Sequence, residues 1–250
     1  MKIKRHFANL LERLKKKPTL TRQDILLAIL PGLLWYGVFH TRVSLVSPSC
    51  TSVETCSTAN IPWIDQVALG RKNRAADHMS FYTQYFAGAL AIFVPVGVSV
   101  TQVASGTLPV AIAFQFFSAD LIFFTQTTLW NGVLNDSMRF LTQRPRPFVY
   151  DNPKAEGQNP AHYSSFYSGH TSFSAAITMF LIITLLGRRI SRFSFWFWSS
   201  LGFTTALATG SLRVIAGRHF PTDVLAGLLA GTLVALALAI WHRRTVDKRT

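Results

Sequence analysis

Acidic residues are scarce in this chain, with 11 Asp and Glu against 25 Lys and Arg among 250 positions. Charged residues of both signs make up only 14%, too few to clothe a soluble domain of this size, while mean hydropathy is +0.27 and 20 residues are Phe. The chain therefore reads as one integral membrane domain. Internal repeats, Pro- or Ser-rich linkers and low-complexity tracts are missing, which argues against a second domain. No small-x-small cleavage site follows Phe39, so the first apolar stretch reads as a retained anchor and not as a cleaved signal peptide. Cysteine is nearly absent. Cys50 and Cys56 are the only two, six residues apart, and a disulfide closing that small loop is favoured over two free thiols.

Six apolar segments are present: Ile25 to His40, Phe81 to Val103, Pro109 to Leu134, Thr171 to Gly187, Phe193 to Leu212 and Thr222 to Trp241. The spacing predicts an all-α, six-transmembrane-helix bundle. The first segment is short and carries Pro31-Gly32, so it needs tilt-free insertion or local thinning of the bilayer.

A net charge of +14 would suit a nucleic-acid ligand, but its placement argues against one. Eight Lys/Arg against Glu12 precede residue 23, Arg188, Arg189 and Arg192 form a second group, and Arg243, Arg244, Lys248 and Arg249 less Asp247 a third. Together they account for all but one of the net charges. With six spans all three groups fall on one face, which the positive-inside rule makes cytoplasmic, with both termini. Residues 1–24 form a cytoplasmic basic segment whose Ile3, Phe7, Leu10 and Leu14 stripe predicts an amphipathic interfacial helix; residues 25–250 form the membrane domain. The long loops, about residues 41–80 and 135–170, face outward with both cysteines, in an oxidising compartment. The sequon at Asn135 sits at a span end unsuited to a glycan, which leaves a bacterial inner membrane as the simpler placement. Within the first loop, residues 61–69 read as a short interfacial helix anchored by Trp63.

Three polar patches reach the outer boundary. Arg139 through Pro147 supplies guanidinium groups on a stiff Arg-Pro-Arg-Pro loop. Tyr167-Ser168-Gly169-His170 opens the fourth span: Ser168 can cap the helix, Gly169 admits a ligand to the backbone, and free N–H groups attract an anion. The third runs from Ser211 to Asp223, with His219 four residues before Asp223 across Pro221. Pro starts a helix and puts Asp223 in its first turn, where the carboxylate can hold one imidazole nitrogen and leave the other as nucleophile or base. A membrane-edge His and Asp that merely cap a helix would share that pattern. Asp120, Thr127 and Asn131 share one helical face, as residues of a polar path or of structural interhelical bonds.

In order and spacing these patches resemble the three motifs of the type 2 phosphatidic acid phosphatase superfamily, Lys-x6-Arg-Pro, Pro-Ser-Gly-His and Ser-Arg-x5-His-x3-Asp, over residues 81–241. Arg139 stands where the family usually has Lys, Tyr167 where it has Pro, and Leu212 where it has Ser. The resemblance implies a lipid phosphatase acting through a phosphohistidine: His219 as nucleophile, Asp223 orienting it, and His170 as general acid and then base. Arg139, Arg146, Arg213, Ser168 and Gly169 would hold the phosphate. It implies no metal and no cofactor, a lipid phosphate as partner, and an extracytoplasmic site. Substrates of the family's kind include phosphatidic acid, phosphatidylglycerophosphate, undecaprenyl pyrophosphate and the phosphate of lipid A. A phosphotransferase passing the group to a lipid hydroxyl is an alternative, and an anion or lipid transporter a remote one. Arg144 and Arg218 fall outside the motif positions, as headgroup contacts or salt-bridge partners.

Overall fold

A computed structural model describes residues 22–41 and 43–247, so the predicted amphipathic helix before residue 22 lies outside the described residues. In chain order the helices are α1 (Arg22–Thr41), α2 (Trp63–Gln66), α3 (Arg74–Ala104), α4 (Val110–Thr142), α5 (Pro147–Asp151), α6 (Pro153–Glu156), α7 (Gly169–Leu186), α8 (Arg192–Ile215) and α9 (Pro221–Asp247). No strand occurs among the described residues.

The six long helices coincide with the six expected segments, yet five of them are long and apolar enough to cross a membrane. The exception is α8, whose apolar residues are diluted by Ser194, Ser199, Ser200, Thr204, Thr205 and Thr209. The first span is longer than predicted, 20 residues, because the helix runs past both expected ends, from Arg22 to Thr41, with Pro31 in its interior. Similarly, α4 continues eight residues beyond Leu134 and carries Arg139 in its last turn instead of on a loop. It stops at Gln143, whose left-handed φ of 43° turns its N–H back to the Arg139 carbonyl.

At the centre lies α7, the most buried of the long helices. Its small residues let neighbours come close. Gly227 and Gly231 of α9 sit directly on its backbone: a Cβ at Gly231 would stand 2.0 Å from the Ser172 carbonyl oxygen, and one at Gly227 2.8 Å from that of Ser168. On another side, Ala87, Leu90, Ala91 and Val94 of α3 interlock with Ile177, Phe180, Leu181 and Leu185. Bundle contacts include hydroxyl bonds, Thr178 to the Gly202 carbonyl at 3.1 Å and Thr209 to Thr83 at 2.8 Å, which tie α8 to α7 and α3. α1 stands at the periphery, mainly against α4.

All helix ends that border residues 43–73 and 143–168 gather at one end of the bundle. There the two long loops fold onto each other. Cys50 and Cys56 form a disulfide, and the Tyr163 hydroxyl accepts from Cys50 N at 2.9 Å and donates to the Gly157 carbonyl at 2.8 Å. Only Trp63–Gln66 of the expected interfacial segment is helical; Trp63 is exposed, as an anchor requires, while Asp65 is fully buried. At the opposite end Arg188, one of the basic group, is buried in an ion pair with Asp120, which therefore serves as an interhelical tie. A second tie joins three helices: the Gln126 amide donates to the Asp24 carbonyl at 2.7 Å, and His242 lies 2.6 Å from Gln126 and 3.1 Å from the Asp24 carboxylate.

Replacing Gly231 by Ala is expected to force α9 from α7 and lower stability by about 1–3 kcal/mol. Gly97→Ala, where a Cβ meets no neighbour within 4 Å, should leave it unchanged. Thermal unfolding of both variants in detergent micelles checks this.

Candidate active site

Ser168 stands at the N-cap of α7 in extended conformation, but its hydroxyl bonds Thr171 Oγ1 at 2.8 Å and caps no backbone N–H. This corrects the expected cap. The reason is competition: the buried Thr171 hydroxyl three residues on is the nearer partner, and the opening turn of α7 keeps its N–H groups without a side-chain cap. Such a turn is a ready anion site. Gly169 is required there, because a Cβ would lie 2.7 Å from Arg139 Nη2 and 2.8 Å from Asn135 Oδ1. Asn135, the sequon asparagine, is buried and donates to the Tyr167 carbonyl at 2.8 Å.

The tight turn between α8 and α9 brings His219 to the same place. Gly217 has a φ of 67°, and a Cβ there would meet the Arg71 carbonyl at 1.9 Å, so only glycine permits this path. His219 is fully buried, with Nδ1 2.7 Å from the Ser165 carbonyl. A carbonyl can only accept, so Nδ1 carries the proton and Nε2 holds the lone pair. The His-x3-Asp spacing predicts a direct bond to Asp223. Instead the Asp223 Oδ2 lies 3.8 Å from Nδ1, too far for a hydrogen bond. Asp223 holds the turn: Oδ2 accepts from Ser165 Oγ at 2.6 Å and from Phe220 N at 2.9 Å, and Oδ1 from Arg144 at 2.6 Å. Burial keeps the His219 imidazole far below the ordinary histidine range, at about 3, with Asp223 opposing the shift and Arg213 and Arg146 adding to it.

His170 opens α7, its ring edge-on to Phe81 at 4.4 Å between centroids. Arg213, His219, Arg139 and Arg146 all lie within electrostatic reach of it. The Nε2 atoms of His170 and His219 are both buried, and neither has a hydrogen-bond partner among the described residues. The structure thus brings together His170, His219, Asp223, Arg139, Arg146, Arg213, Ser168 and Gly169. The disulfide belongs to the loop cover and not to this cluster.

The arginines are held by acids and hydroxyls. Arg213 Nη1 bonds Asp77 at 2.5 Å and Ser80 at 3.2 Å, Arg139 Nη1 bonds Asp136 at 3.1 Å, and Arg146 Nη2 bonds Ser164 at 3.0 Å. Arg218 closes on Asp77 at 2.7 Å, and Arg144 bridges Asp223 and Asp65, so both are salt-bridge partners. Asp65, Asp77 and Ser165 escaped the sequence reading. Asp65 accepts from Thr222 N at 2.9 Å, from its hydroxyl at 2.6 Å and from Arg144 at 2.7 Å, capping α9 from the first loop. The scarcity of acids was the available signal, since each had a cation to neutralise. Tyr167 is buried beside Arg139 and Asp136, and burial raises its phenol above the ordinary tyrosine range. Among the described residues, no three His, Cys, Asp or Glu side chains group as ligands for a metal.

The chain belongs to the PAP2 superfamily, whose family model matches residues 120–247 and so includes all three patches. It is similar to phospholipid phosphatase 2 of Rattus norvegicus, 38% identical over 79 residues, covering 28% of this chain and 27% of the relative. Phospholipid phosphatase 2 of Bos taurus is 39% identical over 79 residues, covering 28% and 26%, and that of Homo sapiens 38% over 89 residues, covering 31% and 29%. Each match spans under a third of the relative's length. No solved structure matches the chain.

Two outcomes are expected. Asp65→Ala should cost about 3 kcal/mol in micelles, because a buried ion pair loses one partner and α9 its cap. The His219 imidazole should stay neutral, with its proton on Nδ1, when pH falls to about 5, whereas an ordinary histidine charges there; nitrogen chemical shifts of labelled histidine report it. Because the folded value is depressed, this group's contribution to stability is retained above the ordinary histidine range and lost as pH falls towards about 3.

Proposed function

We propose that the protein is an integral membrane lipid phosphatase that hydrolyses a terminal phosphomonoester or pyrophosphate of a lipid through a phosphohistidine. The observation that carries this reading is the pair of buried imidazole Nε2 atoms without partners, set among three arginines beside the uncapped start of α7. The names of the similar phospholipid phosphatases support the substrate class.

In the proposed first step, the lone pair on His219 Nε2 attacks phosphorus while the bond from phosphorus to the lipid oxygen breaks. His170, protonated when the phosphate is bound, gives its proton to that oxygen, and the lipid leaves as an alcohol from a phosphomonoester or as a lipid monophosphate from a pyrophosphate. The phosphorylated imidazole keeps its Nδ1 proton on the Ser165 carbonyl and carries positive charge, which Asp223 at 3.8 Å stabilises. In the second step His170 takes a proton from water, the oxygen attacks phosphorus, and the P–N bond breaks to restore neutral His219 and release phosphate. Arg139, Arg146 and Arg213, with the first N–H groups of α7, balance the charge on the equatorial oxygens. No step calls for a metal or a cofactor.

The reading also includes a topology. If α8 crosses the bilayer with the five more apolar helices, both termini share one side, and the basic group at Arg188, Arg189 and Arg192 makes that side cytoplasmic. The site then faces outward, at the outer surface of a cytoplasmic membrane. Asp120 pairs with Arg188 at the end away from the site, a structural use that lends no support to a transport path.

His219→Ala should lower phosphate release from lipid phosphates in micelles by at least about a thousandfold; an undiminished rate would remove the proposed nucleophile. A chelator should leave the rate unchanged, and activity that disappears and returns with a divalent ion would overturn the metal-free mechanism. A cysteine at position 154 should react with an impermeant reagent from outside; labelling only after permeabilisation inverts the topology.

A further inference from the structure

The departure of Arg139 from lysine has a counterpart far away in sequence, on the peripheral helix α1 and outside the residues the family model matches. Trp35 Nε1 donates to Asp136 Oδ2 at 2.7 Å, and Asp136 Oδ1 accepts from Arg139 Nη1 at 3.1 Å. The indole is seated on Gly132, where a Cβ would approach its ring to 2.6 Å, so α4 is shaped to receive it. A tryptophan near a membrane boundary ordinarily points its N–H to water or headgroups. Here it points to a carboxylate with only 3% of its residue surface exposed.

We infer that Trp35, acting through Asp136, is a positioning residue that holds Arg139 for phosphate. The guanidinium is a fork: Nη1 is engaged by Asp136, while Nη2 rests against Gly169, at the first turn of α7 where the proposed phosphate binds. A lysine carries all three of its donors on one nitrogen, so carboxylate and phosphate would have to meet at a single atom, whereas the fork offers them separate nitrogens in a fixed plane. The indole also matters electrostatically. A carboxylate beside a phosphate site repels the ligand, and two donors, one on each oxygen, spread its charge and fix its rotation so that Arg139 cannot swing with it. This inference rests on the phosphatase reading of the site.

The test uses the full-length protein in detergent with dioctanoyl phosphatidic acid as substrate and inorganic phosphate as competing ligand. Trp35→Phe keeps the packing on Gly132 and removes the N–H. The expected result is a roughly fivefold rise in both KM and the phosphate inhibition constant, about the size of one ordinary hydrogen bond because the loss reaches the ligand only through Asp136 and Arg139, with kcat within about twofold. Asp136→Asn should do the same, which guards against a single variant that folds poorly, and thermal unfolding of both separates misfolding from mispositioning. In an Arg139→Ala background Trp35→Phe should have no further effect, whereas a merely structural tryptophan would weaken both backgrounds equally. Unchanged phosphate inhibition in both single variants, or an undiminished Trp35→Phe effect without Arg139, overturns the inference while leaving the phosphatase reading in place. A parent chain that releases no phosphate and is indifferent to Arg139→Ala overturns the phosphatase reading, and this inference with it.

Discussion

The buried carboxylate of Asp223 is the constraint on which this site depends. Removing such a charge from water costs several kcal/mol, and the cost is met only if every oxygen finds a donor. Ser165, Phe220 and Arg144 provide them, from the second long loop and the α8–α9 turn. The backbone carbonyl of the same residue accepts from Ser168 N at 3.1 Å, which attaches the start of α7. Arg144 extends the network to Asp65 and so to the first loop. One acid thereby couples the loops, the helix start and the His219-bearing turn into a single body, and the imidazole receives its orientation from a carbonyl within that body.

The rarity of acids acquires a spatial meaning. Asp65, Asp77, Asp136 and Asp223 are gathered around the arginines at one end, with Asp24 and Asp120 at the other. Arg139, Arg144, Arg213 and Arg218 would repel each other in a region of low dielectric, and the four carboxylates compensate them, Arg144 being held through both of its terminal nitrogens. A cluster built in this way keeps its cations in place.

Hydropathy made the long helices legible, because helices that face lipid must be apolar along nearly their whole length. It misjudged their ends, where α1 begins at Arg22 and runs to Thr41 and α4 carries Arg139 in a helical turn, since polar residues at a boundary fit either helix or loop. The local patterns around Ser168, His170, His219 and Asp223 were legible as well, being set within a few residues of chain. Partners supplied from afar were not. Asp65 lies 157 residues from Thr222 and Asp77 136 from Arg213, and nothing in the local sequence of either announces the contact. The Ser165 carbonyl is invisible for another reason: a backbone acceptor has no residue-type signature, so the Asp drew the role that the main chain performs.

The peripheral position of α1 has a consequence for how the chain is assembled. This helix is synthesised before its partner, and α3 must follow it into the bilayer before α4, which carries Gln126, Gly132 and Asp136, emerges to meet it. Until then the Trp35 N–H and the Asp24 carbonyl lack the acceptor and the donor that α4 brings, and the Asp24 carboxylate meets His242 only when α9 follows. The N–H and the carbonyl meet their partners on α4, Asp136 and Gln126, 101 and 102 residues later, and so can select that helix over the more apolar α3 during insertion. Choice of neighbour is then governed by two polar bonds whose groups enter the membrane at different times.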